Sequence, residues 1–492
     1  MTSTNKINCD DLIFNLNKEI DSVLGPFLSS GAKCALVDFP NHSNSGDSAI
    51  WLGETTWLRK NENEIVYLCD LNTYSRERLA AEIGNGIILL HGGGNLGDLW
   101  TDHQQFREQV IRDFPNNKII QLPQSIFFHD NANLERCRQI FNNHSDLTLL
   151  CRDYQSLEFA RKEFTAQSFL CPDMAFTLGR IERPCNPETE IVWLARTDKE
   201  SLEKLEPISE LGIERTDWLD EPPTSVLSEN QHLTNQINLY PHEWKSTKKA
   251  LYHTYDSLAH QRLLRGCRIL SKGKVVISNR LHAHILCLLM EIPHVLLNNN
   301  YGKIKNFYDT WTKDCEITKW ANSAEDAVDN LLNDTQFTLI LKREGTDLEA
   351  LDELITRLRK TKHLTEEDSK SEKRGLNLWL DQLKQIEEEI FSSIPERHNF
   401  ILVDDNQIRN ELNIGNRSAI PFLERNGQFW GAAPDDETAI REMERLRLEG
   451  ATFIVFAKPS FWWLIYYNQL HWYLRSKYTC LVENDYLVVF AL

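Results

Sequence analysis

IILLHGGGNLGD, residues 87–98, reads as a short buried strand that breaks into a glycine-rich turn. Four consecutive apolar residues suit a strand covered on both faces, and the glycines after them are strong punctuation. The same grammar recurs on either side. β-Rich runs at 35–39, 65–69, 118–122 and 147–151 are each followed by a polar or Gly-rich turn and a segment with helical spacing. Alternation of strand, turn and helix is the signature of a parallel sheet wrapped by helices. A second series begins at 191–194 and continues through 274–277 and 294–297, separated by helical stretches such as 246–266. The chain therefore reads as α/β, with two such domains in tandem over residues 1–180 and 187–360.

Residues 361–375, TKHLTEEDSKSEKRG, carry almost no apolar side chain and charges of both signs, the composition of a solvated linker. Beyond it, 376–492 reads as a small accessory α/β domain with strand candidates at 400–403, 452–456, 480–482 and 486–490. Its aromatic stretch, including Trp462, Trp463, Tyr466, Tyr467 and Trp472, holds more rings than one buried stripe can accommodate. Most are expected to pack inside; an exposed ring would suit the apolar face of a pyranose.

The 492 residues carry 54 Lys and Arg against 72 Asp and Glu, a formal charge of −18. That field repels phosphate backbones and anionic bilayers, so nucleic acid is not an expected partner. An anionic substrate has to be gathered by a local cluster of Arg and His. No apolar run approaches the ~18 residues of a membrane span, and the opening residues lack the basic and apolar regions of a secretory signal. Eleven scattered cysteines, an odd number without a C-x-x-C pair, read as thiols of a reducing compartment and argue against a zinc ribbon. The expected location is the cytoplasm.

Four turns at strand ends can carry chemistry. Gly92, Gly94 and Gly97 satisfy G-x-G-x-x-G, yet the next strand, KIIQLPQ, lacks the acid that would hold a ribose, and no Gly-Lys-Ser/Thr follows. A loop that lines a substrate and then opens a helix is the better reading than a bare structural turn, a dinucleotide site or a P-loop. Asn44-Ser45-Gly46-Asp47 follows another strand in the same way, and Asp47 either caps the next helix or faces the crevice at the strand ends. In CRDYQS, Asp153 or Ser156 serves the helix start and leaves Arg152 to face the same crevice, suited to a carboxylate or phosphate. The sharpest segment is VISNRLHAHI, residues 276–285, a strand that breaks into an apolar helix with Arg280 and His282 at its anion-attracting start. His282 and His284, two apart on a helix, point to different sides and cannot share a metal, so one faces the cleft and the other packs.

Taken in order, GDSAI, HGGGNLGD, QLPQS, CRDYQS, PDMAF and SNRLHAHI resemble the polysaccharide pyruvyl transferase family over residues 30–330. The resemblance implies two Rossmann-like domains in a glycosyltransferase-B-like arrangement, and transfer of pyruvate from phosphoenolpyruvate onto a sugar as a ketal. It implies that Arg280 and His282 form the donor site with His282 as the acid, that Arg152 binds the donor anion, and that Asp47 is an acceptor or catalytic carboxylate. By the same match Gly46, Gly93, Gly94, Asn95, Asp98, Gln124, Asn279 and Leu281 line the substrates. The partners are phosphoenolpyruvate and a glycan or lipid-linked sugar, with no metal or redox cofactor and a location peripheral at most to the inner membrane face. This sequence departs from the family pattern in opening the triple-glycine turn with His91 and in carrying His284.

The residue types suit that chemistry on their own terms. Phosphoenolpyruvate needs at least two cationic or amide-rich contacts, for its phosphate and its carboxylate. Adding a hydroxyl at C2 requires protonation at C3, a general-acid step suited to histidine. A nucleotide-sugar glycosyltransferase of the same architecture is the alternative, and a non-catalytic glycan-assembly protein is a second.

Overall fold

The computed structural model describes residues 6–195, 214–298, 302–322, scattered positions between 326 and 345, and most of 384–492. The expected linker at 361–375 lies outside the described residues. The chain divides into two compact units, residues 1–359 and 360–492.

In the first unit, β1 (Lys33–Val37), β2 (Glu64–Cys69), β3 (Ile87–Leu90), β4 (Gly93–Gly97), β5 (Ile119–Phe127), β6 (Leu147–Cys151) and β7 (Gln167–Leu170) form one sheet. Its order is β2-β1-β3-β5-β6-β7, with β4 added alongside β5, and every pairing is parallel. The connections are α2 (Ser45–Lys60), α3 (Arg76–Ile83), α4 (Thr101–Asp113), α5 (Asn131–Asn142) and α6 (Tyr154–Glu163), after an opening helix α1 (Cys9–Leu24). Strands such as β6, buried at all five positions, are apolar but for Thr148 because helices cover both faces.

The glycine segment corrects the sequence reading. Residues 93–97 are a strand, and the next helix starts only at Thr101. The cause is β5, which runs past the expected end at 122 to Phe127. Its pairing shifts between Gln121 and Gln124, around Pro123, where a ladder tolerates a residue without an N–H. The extension pairs Gly93 with Gln124, Leu96 with Ile126 and Gly97 with Phe127. Gly97 has φ 135°, and a Cβ there would fall 1.6 Å from the Phe127 carbonyl oxygen, so only glycine fits.

A second parallel sheet contains β8 (Thr189–Leu194), β9 (Glu214–Thr216), β10 (Gly273–Ser278), β11 (His294–Leu296) and β12 (Thr318–Trp320), in the order β12-β11-β10-β8-β9. Its helices are α7 (Ser225–Leu239), α8 (Trp244–Ser271), α9 (Leu281–Met290) and α10 (Lys303–Phe307). Helix α8 reaches back to the first sheet. Tyr255 stacks on Phe39 at 4.2 Å, and Arg262 Nη1 donates to the Pro40 carbonyl at 3.1 Å. At Gly266 a Cβ would lie 2.7 Å from Ser45 Cβ, so this helix presses on the start of α2. One buried apolar cluster consequently runs through both sheets, from Cys9 to Ile317.

The second unit is built on β13 (Asn399–Val403), β14 (Ser418–Pro421), β17 (Ala451–Ala457), β18 (Thr479–Glu483) and β19 (Leu487–Ala491), with β15 (Glu424–Arg425) and β16 (Gln428–Phe429) as a separate hairpin. The sheet order is β14-β13-β17-β19-β18, parallel as far as β17 and antiparallel after it. Helices α11 (Asp436–Leu448) and α12 (Asn468–Lys477) complete it. Trp463 and Tyr467 are buried in its core, whereas Trp472 is 77% exposed; Trp462 and Tyr466 lie outside the described residues. Among the described residues no helix is long and apolar enough to cross a membrane.

Candidate functional site

The turns after β6 and β10 bring Arg152 and His282 onto one carboxylate, that of Asp173 in the turn after β7. Asp173, fully buried, caps the short 3-10 helix Met174–Leu178 by accepting from the Ala175 amide at 3.0 Å through Oδ1. Its Oδ2 accepts from Arg152 Nη1 at 2.8 Å and lies 3.3 Å from His282 Nε2. Burial alone would raise this carboxyl's pKa. The charge and hydrogen bond of His282, with the Arg152 guanidinium, instead hold it well below the usual carboxylate range.

Arg152 is fixed from its other edge as well. Nε donates to Ser125 Oγ at 2.9 Å, and that hydroxyl donates to Asp153 Oδ2 at 2.7 Å. Asp153 is also the N-cap of α6, accepting from the Ser156 amide at 2.8 Å. A buried guanidinium held at two edges is a rigid anion receptor. Gly94 passes directly over it: a Cβ on Gly94 would lie 2.7 Å from Arg152 Nη2 and 3.5 Å from Lys303 Nζ.

Arg280 is the N-cap of α9, so it stands where that helix presents unsatisfied amides. Its Nη2 donates to Asp217 Oδ2 at 2.6 Å, and its guanidinium carbon lies 5.6 Å from the centre of the Trp218 ring. Leu281 and His282 occupy the first turn, both buried, beside buried Asn279. His282 packs on α2: a Cβ at Gly46 would come within 2.6 Å of His282 Cβ, Cγ and Nδ1, so no larger residue leaves that ring in place.

Asp47 follows Gly46 in the first turn of α2 and is not its cap, since Asn44 is. Its Oδ2 accepts from Asn44 Nδ2 at 2.7 Å, with His42 Nε2 3.6 Å away. Burial works to raise its pKa, and His42, His282, His91 and Lys303 together lower it. Across from it stands Gly93, whose Cβ position lies 3.7 Å from Asp47 Oδ1. Gly46, Asp47, Gly93, Gly94, Arg152 and His282 thus converge, and Arg280 opens the helix that carries His282.

Asn95, Gln124 and Asp98 are occupied with the protein itself. Asn95 Oδ1 accepts from Arg107 Nη2 and Gln124 Nε2, both at 2.8 Å, while Gln124 Oε1 accepts from the Asn95 amide at 3.1 Å. Asp98 accepts from the His129 amide at 2.8 Å and the Asp130 amide at 2.6 Å. His284 is sealed in the core, with His294 Nε2 at 2.6 Å and Thr312 Oγ1 at 2.8 Å, and burial drives its pKa well down. Asp173, Asp217 and Lys303 escaped the sequence reading. Asp173 sits in the PDMAF motif, where an acid before an apolar run is a usable sign of a cap; Asp217, in the acidic stretch DWLDEPP, has no such marker. Among the described residues no group of His, Cys, Asp and Glu is arranged to hold a metal ion.

The family described as polysaccharide pyruvyl transferase matches residues 44–301, the span that contains all of these convergent residues but Lys303. Pyruvyl transferase 1 of Schizosaccharomyces pombe is 31% identical over 351 residues, which cover 67% of this chain and 82% of that protein. EpsO of Bacillus subtilis, whose name also contains the words pyruvyl transferase, is 29% identical over 293 residues, 58% of this chain and 86% of EpsO. A solved structure of an uncharacterized Klebsiella pneumoniae protein is similar at 18% identity and a TM-score of 0.41, covering 63% of this chain and 99% of its own. With more than half of the chain inside the family match and a relative of this identity and coverage, the chain belongs to the polysaccharide pyruvyl transferase family.

Proposed function

We propose that this protein transfers pyruvate from phosphoenolpyruvate to two hydroxyls of one sugar in a glycan or lipid-linked precursor, as a cyclic ketal. The observation that carries the reading is the meeting of Arg152 and His282 on Asp173, from the two sheets, at 2.8 and 3.3 Å. A donor with a phosphate and a carboxylate calls for fixed cations, supplied by Arg152, Arg280 and Lys303, and for amides at the start of α9. The two sheets then act as the two Rossmann-like halves of a glycosyltransferase-B-like arrangement, with donor and acceptor between them.

In the proposed sequence His282 donates its proton to C3 of the enol, with Asp173 orienting the ring and balancing its charge. The first sugar hydroxyl adds at C2 and gives its proton to Asp47. A second hydroxyl then attacks C2 as the C2–O bond to phosphate breaks, closing the ketal; its proton leaves on the inorganic phosphate, and the proton on Asp47 returns through solvent to His282. The changes at C2 and C3 cancel, so there is no net redox change and the scheme calls for no redox cofactor, and it assigns the phosphate to arginine and lysine rather than a metal. Such an enzyme would work in the cytoplasm, where phosphoenolpyruvate is made, and at most peripherally at the inner membrane face.

The test is a competition. Labelled phosphoenolpyruvate, uridine diphosphate sugars and guanosine diphosphate sugars are offered with a panel of glycans, and inorganic phosphate release is followed. Acceptor-dependent phosphate release from phosphoenolpyruvate alone supports the reading. Consumption of a nucleotide sugar instead would replace it with the glycosyltransferase alternative.

A further inference from the structure

Behind the glycine strand lies a buried histidine–carboxyl pair that the proposed chemistry does not use. Asp47, Trp51 and Glu54 stand at i, i+4 and i+7 on α2, one face of the helix. His91, at the end of β3, meets that face: Nδ1 is 2.7 Å from Glu54 Oε2, and its ring lies 5.8 Å from the Trp51 ring. Glu54 Oε1 accepts from the Gly92 amide at 2.8 Å. His91 is 2% exposed, Glu54 and Trp51 are fully buried, and among the described residues His91 Nε2 has no hydrogen-bond partner. The two nitrogens of an imidazole point in nearly opposite directions, so with Nδ1 on Glu54 the other turns away from it.

We propose that the Glu54–His91 pair is a positioning device for the reactive end of α2, fastening that helix to the glycine strand and setting a positive charge behind Asp47. A lone buried imidazolium would be costly, and Glu54 is what makes it tenable. The fields that bear on His91 come from Glu54, Asp38 and Asp47, and with burial opposing them they raise its pKa. Those that bear on Asp47 come from His42 in the loop before α2, His91 at β3, His282 on α9 and Lys303 on α10. Two of these four, His91 and His282, are buried histidines beside a carboxylate, Glu54 and Asp173 respectively, and the first of these pairs is the one the proposed chemistry leaves unused. The pair thereby acts on two parts of the site at once: Asp47 on α2, and Gly93 and Gly94, which face Asp47 and Arg152. The role assigned to Asp47 rests on the proposed function; the charge behind it does not.

The test measures the Asp47 carboxyl directly. Full-length protein labelled with carbonyl-13C aspartate is titrated by NMR or infrared difference spectroscopy against its Asp47→Asn counterpart, in wild type, Glu54→Gln, His91→Asn and the double variant. Each variant should raise the Asp47 midpoint by about one pH unit: His91→Asn removes the imidazolium, and Glu54→Gln removes the carboxylate that keeps His91 protonated, so the nearby cation that favours the Asp47 carboxylate is lost either way. The double variant, which removes both buried charges, should melt above either single variant and yet keep the raised midpoint. An unchanged midpoint in a folded double variant overturns the proposal and leaves the pair as packing. A raised midpoint with an unaltered pH profile of phosphoenolpyruvate turnover supports the pair's effect on Asp47 and removes Asp47 from the chemistry.

Discussion

Gly94→Ala isolates the link between the glycine strand and the donor site. The backbone of Gly94 is not in the left-handed region, unlike Gly93 at φ 125°, so alanine meets no conformational penalty there. Its methyl would instead lie 2.7 Å from Arg152 Nη2, about 0.7 Å short of ordinary contact. Arg152 cannot yield freely, because Asp173 holds Nη1 at 2.8 Å and Ser125 holds Nε at 2.9 Å. Either the guanidinium moves and stretches both bonds, or β4 moves and disturbs its pairing with β5. Overpacking of this kind costs about 1–3 kcal/mol of stability. A receptor displaced by most of an ångström should lose about tenfold to a hundredfold in kcat/KM for phosphoenolpyruvate, mostly through KM. The assay is steady-state phosphate release with the donor varied, beside a thermal melt. Gly25→Ala, where a methyl meets nothing within 4 Å, is the control. A folded Gly94→Ala protein with unaltered donor KM and kcat would refute the argument that Arg152 is a fixed anion receptor beneath this strand.

Three other outcomes follow from the same geometry. Arg280→Ala and His282→Ala should each lower turnover by at least about a hundredfold in folded protein, whereas His284→Ala should chiefly lose stability, about 1–3 kcal/mol in a denaturant melt, since it leaves buried partners unpaired; equal catalytic losses for both histidines would contradict a single acid. Asp173 has a folded pKa below its unfolded value, so it contributes stability that is present above about pH 4 and is lost as pH falls through the folded value; Asp173→Asn should therefore be less stable than wild type at pH 7 and approach it in urea midpoints taken toward pH 3. Phosphate release should persist in EDTA, with phosphoenolpyruvate held by arginine and lysine; a complete, metal-reversible loss would contradict that assignment.

The parallel strands were legible because burial on both faces writes them as short, mainly apolar β-rich runs: β3 and β6 begin and end where the sequence says, at Ile87–Leu90 and Leu147–Cys151. Strand β4 was not. GGNLG has no strand propensity, and it becomes a strand only because β5 continues past Pro123 and offers it an edge. The same pairing explains Asn95 and Gln124, polar residues in a motif that read as substrate-lining but that bond each other beneath the strand. At the site, the turn residues Asp47, Arg152, Arg280 and His282 could be named one by one because strand ends before helices advertise themselves. The convergence of Arg152 and His282 on Asp173 is different: His282 meets a carboxylate 109 positions away, and no local pattern encodes that. The distinction between the histidines was half legible: spacing separates His282 from His284, but only packing shows that His284 is walled in by His294 and Thr312.

The most direct measurement is mass spectrometry of glycan and lipid-linked sugar acceptors after incubation with the full-length protein and carbon-labelled phosphoenolpyruvate. The account predicts an acceptor that gains one labelled pyruvyl unit as an acid-labile ketal bridging two hydroxyls of one sugar, with one inorganic phosphate released per unit and none in the His282→Ala protein. A labelled product that retains an enol ether, a product glycosylated from a nucleotide sugar, or pyruvyl transfer undiminished in His282→Ala would contradict it.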